Sequence, residues 1–161
     1  MKPKILIVDG HSMIFAWSDL ARAHAGNTAS ARELLVRMLT SLQDAGEWQV
    51  AVVFDGKGIR PSSENIPEHA VGIFYSRSGQ TADSIIERLA AKYAPTCDVT
   101  VATNDHMERL TVESFGAMSI SADQLLGEIS AAQSRVQASI ASINRRVGQK
   151  GIHVAPKPGS G

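Results

Sequence analysis

The sequence predicts an α/β fold, a three-layer α/β/α domain around a mainly parallel central sheet of about five strands. Two observations lead there: short apolar runs alternate with amphipathic helical segments, and those runs are apolar throughout, as strands buried on both faces are. A third sets the scale. The chain has 161 residues, 43% of them hydrophobic and 20% charged, which suits one domain that needs no disulfide or metal staple to fold.

Ile5 to Val8 is the first such run, ended by Asp9-Gly10. A short helical stretch follows Ser12, through Met13, Phe15 and Leu20. Ala31, Leu34, Leu35, Met38, Leu39 and Leu42 then recur at helical spacing, with Ser30 and Glu33 as a capping box and Gly46 as the stop. Gln49 to Phe54 is the second strand, stopped by Asp55-Gly56. Gly56 to Ala70 has neither periodicity and reads as a long surface loop. Val71 to Tyr75 is the third strand. Thr81 to Tyr93 is a helix closed by Pro95, and Val99 to Thr103 is the fourth strand. Asn104 to Ser114 is a helix closed by Gly116, and Ala117 to Ile120 is a weaker fifth strand. In the long last helix Leu125, Leu126, Ile129, Val136, Ile140, Ile143 and Val147 form one stripe, with Ser121 and Gln124 as a capping box and Gly148 as its end. The domain is expected over residues 1–150, with a disordered tail over 151–161.

Composition excludes several classes of protein. A single cysteine, Cys97, leaves no disulfide framework within the chain and no cysteine-based zinc site. The N-terminus has no signal-peptide pattern and no apolar stretch approaches the ~20 residues of a membrane span, so a cytoplasmic protein with no membrane partner is expected. No glycine-rich nucleotide-binding turn occurs. The zero net charge hides an asymmetry: residues 1–128 hold 11 basic and 16 acidic side chains, whereas residues 129–161 hold five basic ones and no acid. An acidic body with a basic end permits a polyanion partner, although the same charges also serve simply to solvate a helix.

Ligand sites of parallel α/β sheets lie beyond the carboxyl ends of the strands. Asp9, Asp55 and Asn104-Asp105 follow three strands there. Asp83 opens the Thr81–Tyr93 helix with Glu87 one turn later, on the side shared with Ile86 and Ala90, so Asp83 is expected to face the sheet edge. Carboxylates gathered at one edge repel each other unless a cation sits among them. Oxygen-only ligands suit Mg²⁺ or Mn²⁺, which stabilises charge growing on a phosphodiester. Taken singly, each acid also has an ordinary explanation as a turn residue or a helix cap.

The residues carrying these acids form recognisable segments. Lys4-Ile-Leu-Ile-Val-Asp9-Gly10-His-Ser-Met-Ile14, Phe54-Asp55-Gly56, Gly79-Gln-Thr81-Ala-Asp83-Ser-Ile-Ile-Glu87-Arg88-Leu89 and Val99-Thr-Val-Ala-Thr-Asn104-Asp105 together resemble the YacP-like NYN-domain proteins, a branch of the PIN-like nucleases. The resemblance implies a PIN-like domain acting as a metal-dependent endoribonuclease, with messenger RNA at the ribosome as substrate in one branch. Carried over, Asp9, Asp83 and Asp105 would bind the metal, with Glu87 and Asn104 beside them and Asp55 shaping the site. Two positions depart from the family pattern: His11-Ser12 stand where Tyr-Asn is common, and Gln80 where Glu is common.

Ser12 can hydrogen-bond a phosphate or a water. His11 is read as a phosphate contact or proton carrier, and equally as a solvated loop residue. Arg60, in the long loop, and Arg77, before the Asp83 helix, are placed to steer RNA, or are ordinary surface charge. Two other functions remain open: an RNA- or ribosome-binding module that keeps the fold without catalysis, and an enzyme acting on small phosphate compounds.

Overall fold

The fold was read from a computed structural model, which describes residues 1–56, 64–77 and 79–152, the last four by backbone alone. The element order is β1 (Lys4–Asp9), α1 (Gly10–Ala16), α2 (Ser18–Gly26), α3 (Thr28–Asp44), β2 (Gln49–Phe54), β3 (Gly72–Tyr75), α4 (Ala82–Tyr93), β4 (Asp98–Ala102), α5 (His106–Ser114), β5 (Met118–Ile120) and α6 (Ala122–Ile152). The five strands form one sheet in the order β3-β2-β1-β4-β5, and every pairing is parallel.

Side chains alternate across a strand, so each buried strand feeds two cores. Leu6, Val8, Val50, Val52 and Phe54 join Leu35 and Leu39 of α3 and Leu125 and Ile129 of α6 on one face. Ile5, Ile7, Ala51, Val53, Val99 and Val101 join Ile86 and Leu89 of α4 and Val112 of α5 on the other. The same period of two aims the residues at the strand ends. Asp9 continues the row of Ile5 and Ile7, Thr103 that of Val99 and Val101, and Asp55 that of Ala51 and Val53. All three therefore emerge on the α4/α5 face, at the carboxyl ends of the strands.

The expected elements form, with four differences. The stretch after Ser12 is two helices, broken at Trp17, whose indole N–H donates to the Ala122 carbonyl (3.1 Å). The Trp17 backbone is extended there, with φ −93° and ψ 122°. α3 starts at Thr28, because the Asn27 side chain accepts from the Ala29 N–H (2.8 Å), so Ser30 and Glu33 already lie inside the helix. α5 starts at His106, with Asp105 as its cap. α6 runs past Gly148 to Ile152, since one glycine costs a helix only ~1 kcal/mol.

At the other end of α6 the expected reciprocal cap is present: Gln124 N–H to Ser121 Oγ (3.1 Å) and Ser121 N–H to Gln124 Oε1 (2.7 Å). The stripe of α6 is divided. Leu125, Ile129 and Ala132 are buried, whereas Val136, Ile140, Ile143 and Val147 are exposed. The expected disordered tail lies outside the described residues from 153 onward, and much of the expected long loop, residues 57–63 with Arg60, lies outside them too.

A candidate carboxylate-lined active site

Asp9 ends the central strand, only 5% exposed, and caps α1. Its Oδ2 accepts from the Ser12 hydroxyl (2.8 Å) and the Thr103 hydroxyl (2.9 Å), and its Oδ1 from the Ser12 N–H (3.4 Å). The next residue must be glycine: a Cβ on Gly10 would lie 2.4 Å from the Phe54 ring and 2.9 Å from the Val53 carbonyl oxygen. Asp-Gly here is thus a close contact between β1 and β2 as well as a chain bend.

Beyond β4, the fully buried Thr103 hydroxyl accepts from the Asp105 N–H (3.1 Å). Asp105 uses its Oδ1 to accept from the Met107 (2.9 Å) and Glu108 (3.2 Å) N–H groups at the start of α5. Asp55 uses its Oδ1 to accept from the Ala82 N–H (3.0 Å) and the Ser76 hydroxyl (3.2 Å), which pins α4 against the ends of β2 and β3. Gly56, at φ +96°, turns the chain away immediately afterwards, a backbone region that suits glycine.

Asp83 enters from the first turn of α4, half-buried. Burial is the main cause pushing its carboxyl above the ordinary range, followed by the charges of Asp9, Asp105, Asp55 and Glu87 in that order. Acids that follow three strands, and Glu87 of the same helix, are thus within electrostatic reach of Asp83. Sequence reasoning missed a member of this group. Glu108 on α5 is 3% exposed, and its carboxyl is pushed up to about 8, chiefly by burial and then by Asp83 and Glu87, with a side-chain hydrogen bond to Glu87. Its Oε1 is buried with no hydrogen-bond partner among the described residues. The signal was present: Glu108 and Val112 lie four apart on one helical face, and both are buried. Asp105-x-x-Glu108 resembles an ordinary capping pattern, which hid it.

Other expected residues sit differently. The Ser12 Oγ donates to Asp9 (2.8 Å) and accepts from the Asn104 N–H (3.1 Å), so it ties the end of β1 to the segment after β4. The Asn104 side-chain oxygen accepts from the Ala122 N–H (2.9 Å) and so anchors the start of α6. His11 and Arg77 are exposed. Arg60 lies outside the described residues.

The donor set is oxygen-only, as a hard divalent cation requires. Among the described residues, no three His, Cys, Asp or Glu side chains stand close enough to form a ready-made ion cage. That spacing still fits Mg²⁺, which takes one or two carboxylates and fills its other positions with water and substrate oxygens. The unpartnered buried oxygen of Glu108 fits the same reading, because it lacks a donor that a cation or its water would replace.

The description YacP-like NYN domain matches residues 6–154. The chain belongs to this family. In Bacillus subtilis (strain 168) it is similar to the uncharacterized protein YacP, 31% identical over 140 residues, which cover 86% of this chain and 82% of the relative. Among solved structures, the crystal structure of Rae1 (YacP) from Bacillus subtilis superposes with a TM-score of 0.74 at 31% identity, covering 94% of this chain and 87% of that one. The W164L mutant of the same protein gives 0.74 at 29% identity, covering 97% and 86%. The YacP-like NYN family has the PIN-like nuclease fold, and membership supports a nuclease-type, RNA-related role. Among the described residues no helix is long and apolar enough to cross a membrane.

Proposed function

We propose that the chain is a metal-dependent endoribonuclease that hydrolyses RNA phosphodiester bonds. The observation that carries this reading is the set of carboxylates around Asp83, whose charges add to burial in raising its carboxyl. A fold gains nothing in stability from such mutual repulsion, so the arrangement points to a positive partner. Asp9, Asp83 and Asp105 would line the site of Mg²⁺ or Mn²⁺, one or two of them as direct ligands and the rest through its waters, with Glu87 and Glu108 beside them. Such an ion, when bound, offsets the acids' charge and the charge that builds on the phosphodiester.

The protein's own groups supply orientation and proton handling. Ser12 and Thr103 fix the Asp9 carboxylate from one side, leaving its position set before substrate arrives. Glu108, hydrogen-bonded to Glu87 and raised to about 8 chiefly by burial, retains a proton near neutral pH. It can accept the proton of an attacking water, or hand one to the departing 3′-oxygen, as the P–O3′ bond breaks and a 5′-phosphate forms. Messenger RNA at the ribosome, in the cytoplasm, is the setting that the family resemblance suggests. The acid-free end of α6, with Arg135, Arg145 and Arg146, is a surface suited to a polyanion.

A second reading is an RNA-binding module without catalysis, favoured by the lack of a ready-made cage among the described residues and by Gln80 and Ser12. One experiment separates them: purified protein is incubated with messenger-length RNA and Mn²⁺, beside Asp83→Asn and Asp105→Asn. Cleavage by the parent that both variants lose supports the nuclease. RNA binding by all three without cutting overturns it in favour of the second reading.

A further inference from the structure

α1 buries Gly10, Met13 and Ile14, which leaves Phe15 on its outer side with 56% of its surface exposed. Phe15 is not isolated. The His11 ring, one turn earlier, lies 4.5 Å from it between centroids at 41°, and the His24 ring of α2 lies 5.1 Å away at 64°. The three rings form a continuous ladder that starts two residues after Asp9. His24 Nδ1 is buried with no hydrogen-bond partner among the described residues, so ring packing against Phe15 secures that side of the imidazole.

We infer that this ladder is a stacking surface for the unpaired bases of single-stranded RNA whose backbone enters the carboxylate site. The inference rests on the nuclease reading for its choice of ligand. The exposed side of the Phe15 ring is open to a partner, and every nucleobase has a π-face that can cover it. Phe and His rings both stack on bases, and such contacts accept any base sequence. Continuity decides between a base and another apolar partner: a strand whose phosphate lies at Asp9 must place a neighbouring nucleotide close to His11. A duplex hides its π-faces, so the surface selects single strands.

The test is fluorescence anisotropy with a labelled, unstructured oligoribonucleotide, on the Asp83→Asn background so that the strand stays intact. Phe15→Ala and Phe15→Leu are each expected to weaken binding about 5- to 150-fold, the usual worth of one stacked base. Phe15→Trp is expected to keep it, and binding to the same sequence as a duplex is expected not to depend on residue 15. Melting curves check folding, which the exposure of Phe15 should spare. Unchanged binding in both the Ala and the Leu variants overturns the inference. So does binding retained by Phe15→Leu alone, which would mean apolar contact without stacking. Cleavage by the wild-type chain is scored separately: cutting with no Phe15 dependence removes the ladder and leaves the nuclease, whereas Phe15-dependent binding without cutting does the reverse. Absence of both removes both.

Discussion

Replacing Glu108 by Gln should change how stability depends on pH. The carboxyl is buried against Asp83, Glu87 and Asp9, and is raised from the ordinary 4.5 to about 8. An acid whose pKa is higher in the folded protein binds its proton more tightly there. Its contribution is therefore complete below about 4.5, and stability falls as pH rises towards 8, because the unfolded chain loses the proton first. Taken in full, that interval is worth up to about 5 kcal/mol, and sharing of the proton with Glu87 makes ~2–5 kcal/mol the expected range. Glu108→Gln carries no titrating proton and keeps nearly the same volume. In chelator, urea melts between pH 5 and pH 9 should show the wild type losing stability with pH and the variant losing far less, so that the variant is the more stable at pH 9. Mg²⁺ or Mn²⁺ should restore part of the wild type's stability at high pH. Parallel curves for the two proteins would refute the placement of Glu108 among these acids.

Ser12→Ala removes the donor to Asp9 and the acceptor for the Asn104 N–H, and should cost about 1–3 kcal/mol in denaturant melts. Asp55→Ala leaves the Ala82 N–H without its acceptor and should lower stability by ~1–2 kcal/mol, with hydrogen exchange rising first in the opening turn of α4. Gly10→Ala drives a methyl group into the Phe54 ring and should cost at least ~1–3 kcal/mol, readable as a lower melting temperature.

The layers of the fold were legible because parallel strands buried on both faces leave unbroken apolar runs such as Ile5–Val8 and Val50–Phe54. The acids at strand ends were legible for the same reason, since each run stops at its acid. Three things were hidden. Asn27 captures the start of α3 through a polar residue that precedes the apolar stripe, so periodicity gave no hint of it. Ser12 and Asn104 present hydroxyl and amide groups that serve a ligand or a neighbouring backbone equally well, and only the chain crossing from β4 to α6 assigns them. Glu108 looked like the third residue of a capped helix, and its burial depends on α4 lying opposite. The stripe on α6 shows the converse limit: spacing established an apolar face from Leu125 to Val147, but only distance from α3 determines where its cover ends.

The earliest of these five strands sits in the middle of the sheet. Lys4–Asp9 cannot be flanked on both sides until Gln49–Phe54 and then Asp98–Ala102 have been synthesised, and each of these pairings spans a long stretch of chain. The acidic group inherits that schedule, since Asp105 and Glu108 arrive only after β4. A nascent chain still missing its second half holds Asp9 and Asp55 without Asp83, Glu87, Asp105 and Glu108, and so cannot assemble this set of carboxylates.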